Sequence, residues 1–186
     1  MAKEQGKGVT EEKIRVFEAR REALKTMGGE KMIAKQHELG KLTARERLAM
    51  FYDEGTFQEV QLFVKHRSGL FGLDKKQINA DGVIVGFGKV NGRTVFAAAQ
   101  DFTSSGGSLG EMHAKKIWKV MDMALDARKP FVSMNDSGGA RIQEGVPALD
   151  GYGGIFYRNT IGSRYSPTTN ALPAPTSGRP VSSPAI

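Results

Sequence analysis

The chain has 186 residues, a formal net charge of +7 and no cysteine. Its 39% hydrophobic and 25% charged residues suit a packed core and exclude wholesale disorder, and the lack of cysteine excludes disulfide staples, thiolate metal sites and a cysteine nucleophile. No apolar run reaches the roughly 20 residues that cross a bilayer, and the first 22 residues lack the apolar centre of a secretory signal, so the sequence predicts a cytoplasmic protein without a membrane span.

Three parts follow one another along the chain. Residues 1–54 read as a helical segment in which basic and acidic side chains alternate, as on solvated helices. Ile14, Phe17, Leu24 and Met27 fall near helical spacing between Glu11 and Met27, and Gly28-Gly29 stops that helix. A short stretch from Lys31 to Leu39 ends at Gly40. Thr43-Ala44-Arg45-Glu46 is a capping box, with Leu48 and Phe51 facing inward behind it.

Residues 55–163 read as alternating strands and helices. Phe57 to Val64 has strand-like content, and a basic, glycine-containing loop follows from Lys65 to Lys76. Asn91-Gly92 between the apolar runs 81–90 and 94–101 predicts a hairpin, because both turn residues tolerate positive φ. A helix is expected from about Glu111 to Arg128, with Ile117, Val120, Met121 and Ala124 on one face. Phe131 to Asn135 reads as a short buried strand, and a last helix runs from Pro147 to about Thr160. Residues 164–186 differ. They hold five of the seven prolines and no carboxylate, and are expected to be a disordered or extended Pro/Ser/Thr-rich tail.

One layout occurs twice. A strand ends in an acid and a glycine turn, and a helix follows, at Gln100-Asp101 through Gly106-Gly107 and at Asn135-Asp136 through Gly138-Gly139. Such turns let a ligand approach the main chain, and the amides that open the next helix are unpaired donors. Together they suit a phosphate or a developing oxyanion. Glycine also serves there simply to reverse the chain, and that plainer reading stands beside the functional one. Neither turn carries the lysine of a phosphate-binding loop, the three-glycine dinucleotide spacing or Gly-x-Ser-x-Gly.

Side-chain chemistry is sparse. His37, His66 and His113 are too scattered to form a ligand pair on one helical face, and no metal is expected. His113 suits capping or packing. Asp136 and Glu144 suit a cap or a pairing with Arg141, and Tyr152 and Tyr157 suit packing. The basic residues lack interleaved aromatics and any nucleic-acid motif, so the charge favours a small phosphorylated ligand over nucleic acid.

The stretches from Gln100 to Ile117 and from Lys129 to Gly145, above all Asp136-Ser137-Gly138-Gly139-Ala140-Arg141-Ile142-Gln143-Glu144, resemble the carboxyltransferase subunit of biotin-dependent acyl-CoA carboxylases and decarboxylases. Gly40-Lys41-Leu42-Thr43-Ala44-Arg45-Glu46-Arg47 and Asp81-Gly82-Val83 carry the same resemblance, which extends over roughly residues 8–163. It implies an α/β fold of the crotonase-like (ClpP/crotonase) type, a ββα superhelix around a mostly parallel sheet, truncated here and preceded by the N-terminal helices. The implied enzyme moves a carboxyl group between carboxybiotin, held by a partner biotin carboxyl carrier with its biotin carboxylase subunit, and the α-carbon of a short-chain acyl-CoA such as propionyl-CoA.

By the same resemblance, Gly139 and Ala140 supply backbone amides of an oxyanion hole, and Gly106, Gly107, Ser108 and Gly138 line the acyl-CoA channel. Arg141, Lys115 and Lys116 are candidate phosphate contacts, although the lysines suit a solvated face equally well. A hexamer-type homo-oligomer is implied for the intact family. The chain departs from the family after Gly162-Ser163, and its Ser183-Pro184-Ala185-Ile186 ending returns to it. A shifted reading frame between about Arg164 and Pro180 is the expectation. A second domain carrying the biotin side of the site is expected beyond these residues. The alternative is a non-catalytic CoA-binding or subunit-interaction module.

Overall fold

The computed structural model describes residues 2–163 and 168–171, with side chains described over 10–163. Three helices come first: α1 (Ala2–Lys25), α2 (Glu30–Glu38) and α3 (Ala44–Phe51). Thr43 caps α3 as expected. Its hydroxyl accepts from the Glu46 amide, and the Glu46 carboxylate accepts from the Thr43 amide at 2.7 Å. The expected amphipathic packing of α1 holds only at its C-terminal end and in the turn just beyond it. Leu24 and Met27 are buried, whereas Ile14 and Phe17 are more than half exposed. Phe17 stacks on the ring of Phe63 at 5.1 Å.

A five-stranded sheet follows in the order β1-β2-β3-β4-β5, from β1 (Gln58–Val60), β2 (Val83–Val90), β3 (Arg93–Gln100), β4 (Phe131–Met134) and β5 (Thr168–Ala171). The expected strand from Phe57 to Val64 shrinks to three residues because Gln61 turns left-handed, at φ 57°. The Asn91-Gly92 hairpin forms as read, with both residues at positive φ. Asp53 fastens it, accepting from the Asn91 and Gly92 amides at 3.0 and 2.8 Å.

The β1–β2 and β2–β3 pairings are antiparallel; β3–β4 and β4–β5 are parallel. The sheet is therefore evenly mixed rather than mostly parallel. Helices α4 (Glu111–Asp126) and α5 (Val146–Gly162) make the two parallel crossovers, which gives the expected ββα winding. Of the segment set apart at 164–186, residues 168–171 are extended as β5, paired with β4 from Phe131↔Thr168 to Met134↔Ala171. The rest of the expected disorder and frame change lies outside the described residues.

Period-2 alternation along β2 and β3 splits the core into two layers. Ile84, Ala97 and Ala99 join Leu24, Leu48 and Tyr52 under the N-terminal helices. Val83, Val85, Phe96 and Ala98 face α4 and pack on Ile117, Val120 and Met121. Both faces of these strands are buried, so they read as near-continuous apolar runs. The outer side of α5 stays open, with Val146, Leu149, Phe156 and Tyr157 all more than 60% exposed.

Candidate functional site

The two glycine turns leave β3 and β4, neighbouring parallel strands, at the same edge of the sheet, and they touch. Three backbone hydrogen bonds, each 2.9 Å, lace them together: Gly138 N to Gly106 O, Leu109 N to Gly139 O, and Arg141 N to Leu109 O. Leu109 and Ala140 form an isolated parallel bridge. The fit needs glycine at 107. A Cβ there would stand 2.1 Å from the Asp136 carbonyl oxygen, and φ is +61°.

The seam orients the amides of the second turn. Those of Gly138 and Arg141 are spent on the first turn. Among the described residues the Ala140 amide makes no hydrogen bond, while the Gly139 amide donates to its own turn's Ser137 hydroxyl at 3.1 Å. Cβ atoms added to Gly106 or Gly139 would meet nothing within 4 Å, so the main chain is open to approach at both points. From Gly138 to Arg141, the seam thus leaves one amide unbonded and one that a hydroxyl rotation releases.

Two amides of the helix N-terminus beyond the first turn are already paired, contrary to the expectation that they would be free. Gly110 provides no side-chain cap. Instead two distant carboxylates close α4: Glu144 accepts from the Glu111 amide at 2.6 Å, and Asp81 from the His113 amide at 2.7 Å. No anion site remains at those two amides.

Arg141 and Lys116 are also placed apart from a phosphate role. Each is 1% exposed. The Arg141 guanidinium binds Asp81 Oδ1 at 2.6 Å, Glu144 Oε1 at 2.8 Å and the Ser108 carbonyl at 2.9 Å. Its Nε reaches Ser108 Oγ at 3.3 Å. Lys116 Nζ is capped by the carbonyls of Ala80 and Val83 at 2.7 and 2.6 Å, and burial pulls its pKa down to about 8. Lys115 is partly exposed and pairs with Glu111 at 2.6 Å. Asp136 does not pair with Arg141. It accepts from Gln36 at 3.0 Å and faces Lys41 at 3.6 Å.

His113 packs, as its plainer reading had it. It is fully buried between the Asp81 carbonyl and Gln100, and burial, with Arg141 nearby, pulls its pKa to about 3. The ring is neutral at physiological pH. Burial pushes Asp81 up while Arg141 pulls against it. Two accessible cations that the sequence did not single out stand beside the seam. Lys76 donates to Ser105 Oγ at 3.1 Å, and Lys41 lies over the Phe102 ring at 5.4 Å. Nothing in their local sequence ties them to the glycine turns, because the folding of the loop and the N-terminal segment brings them there.

A model of the carboxyl transferase domain matches residues 35–186. The chain belongs to the carboxyl transferase family. It is 53% identical over 178 residues to methylmalonyl-CoA decarboxylase subunit alpha of Propionigenium modestum, covering 96% of this chain and 34% of that protein. It is 47% identical over 174 residues to the mitochondrial propionyl-CoA carboxylase beta chain of Homo sapiens, covering 92% of this chain and 32% of that one. Among solved structures, transcarboxylase 12S, a hexamer with methylmalonyl-coenzyme A bound, superposes with a TM-score of 0.86 at 45% identity, over 87% of this chain and 32% of that one. The chain therefore spans about a third of the length of the relatives it matches. The expected crotonase-like α/β fold holds. The family match also continues through the segment from residue 164 that the composition sets apart.

Proposed function

We propose that this chain is the acyl-CoA-binding part of a carboxyltransferase subunit. The reaction moves a carboxyl group between carboxybiotin and the α-carbon of a short-chain acyl-CoA, with propionyl-CoA and methylmalonyl-CoA the preferred pair. The observation that carries this reading is the unbonded Ala140 amide, flanked by open main chain at Gly106 and Gly139. As the α-carbon gains or loses its carboxyl group, the thioester oxygen takes on negative charge. A preorganised backbone donor aimed at such an oxygen is worth about 3–4 kcal/mol in the transition state.

Other residues divide the work as follows. Ala140 N donates to the thioester oxygen, and Gly139 N joins when the Ser137 hydroxyl turns away. Gly106, Gly107, Ser108 and Gly138 form the wall along which the pantetheine runs. Exposed Lys76 and the partly exposed Lys41 and Lys115 suit the phosphates better than buried Lys116 or Arg141. Biotin, presented as carboxybiotin by a carrier subunit, supplies or receives the carboxyl group. The open backbone fits the thioester partner, and no residue described here is assigned to the biotin ring.

Calorimetric titration with propionyl-CoA tests the reading, alongside an assay of carboxyl transfer from methylmalonyl-CoA to free biotin. The 186-residue chain is expected to bind the CoA thioester and to give no turnover without a biotin-side domain. Absence of binding defeats the proposal. A second reading, a subunit-interaction module, draws on the exposed apolar side of α5 and on the hexamer assembly of the transcarboxylase relative. Sedimentation that shows a monomer at every concentration defeats that one.

A further inference from the structure

We propose that the buried Arg141–Asp81–Glu144 cluster positions the Ala140 amide, so that Arg141 acts through the backbone and not on a phosphate. The inference rests on the thioester reading above.

Two hands of one residue hold the seam. The Arg141 main chain donates to the Leu109 carbonyl, while its side chain reaches around to the neighbouring Ser108 carbonyl and hydroxyl. Ser108 Oγ in turn donates to the Ser105 carbonyl at 2.9 Å, so the grip extends along the first turn. Residues on both sides of Ala140 are therefore tied to the first turn, through the Gly139 carbonyl before it and the Arg141 amide after it. What stays unbonded is the Ala140 amide between them.

The cation is itself held from behind. Asp81 and Glu144 both accept from Nη1, and the same carboxylates cap the first turn of α4. Space around them is tight: a Cβ on Gly110 would stand 2.5 Å from both Arg141 Nη1 and Glu144 Oε1. The Arg141 side chain is held at Nε, Nη1 and Nη2 by two carboxylates and two atoms of one serine. Lysine, a single point donor, keeps the charge balance but cannot span Asp81 and Ser108 together.

Arg141→Lys is thus the informative variant, because the two buried carboxylates keep a cationic partner. Affinity of the full chain is measured for propionyl-CoA and for propyl-CoA, the thioether that lacks the carbonyl oxygen. The carbonyl stretch of bound 13C-labelled propionyl-CoA is recorded in parallel by difference infrared spectroscopy. In the wild type the thioester should bind about fivefold more tightly than the thioether, the fold-change of one net hydrogen bond, and its stretch should fall below the solution frequency.

Arg141→Lys should abolish that preference and return the stretch to its solution frequency, with propyl-CoA affinity within about twofold of wild type. Ser108→Ala, which leaves every buried charge paired, should lower the preference part-way. A full wild-type preference in both variants overturns the positioning role. Equal weakening of thioester and thioether by Arg141→Lys also overturns it, since that is what a merely structural arginine would give. No thioester preference in the wild type overturns instead the thioester reading on which the inference stands.

Discussion

The carbonyl oxygen of Asp136 lies 2.1 Å from the place where a Cβ on Gly107 would stand. No side chain fits between the two turns at that point, so their separation is set by backbone meeting backbone. Gly106, one residue earlier and also left-handed, faces open space. The neighbours therefore separate two effects. Gly106→Ala should cost only about 1–2 kcal/mol for the left-handed backbone. Gly107→Ala adds overpacking of about 1–3 kcal/mol. Urea unfolding of both variants checks this, and equal losses would contradict it.

His113 gives the folded chain a pH dependence with a definite sign. Its folded pKa, about 3, lies below the 6.5 of the free imidazole, so the unfolded chain takes up a proton that the folded chain refuses. The stability from its neutral burial is present above pH 6.5 and is lost as pH falls towards 3, at about 1.4 kcal/mol per pH unit. Asp81, pushed up by burial, acts in the opposite sense. His113→Gln removes the first contribution. Between pH 6 and 4 its stability should decline about 1 kcal/mol per pH unit less steeply than that of the wild type, read from unfolding midpoints in buffered urea. Parallel slopes would show that the ring titrates normally.

The hairpin depends on an acid outside it. Asp53 follows α3 and receives both turn amides, Asn91 N and Gly92 N. Asp53→Ala should lower stability by about 1–2 kcal/mol, and Asp53→Asn, which keeps one acceptor, by about half as much. Faster hydrogen exchange at Asn91 and Gly92 in the alanine variant would accompany the loss. Unchanged exchange would mean that the turn holds itself.

Local chemistry made part of this structure legible. The Thr43–Glu46 capping box and the Asn91-Gly92 turn are complete within a few residues, and both formed as read. The two glycine turns were visible for the same reason. Their contact was not, because Gly106 and Gly138 meet only after α4 has carried the chain across the sheet. The burial of Arg141 was equally hidden, since its partner Asp81 lies 60 positions away. Apolar spacing misled at α1, where periodicity was present but only Leu24 and Met27 found a core. Strand-like content misled at Gln61, where one left-handed residue ends β1 early.

The three rungs between the turns make the unbonded amide a joint property of segments about 30 residues apart. A peptide containing Ser137 to Arg141 would carry the same atoms and no site, for nothing would spend the flanking amides and leave the middle one over. Anyone wishing to graft this donor onto another scaffold would have to move both turns, the helix between them and the acid pair behind Arg141 as one block.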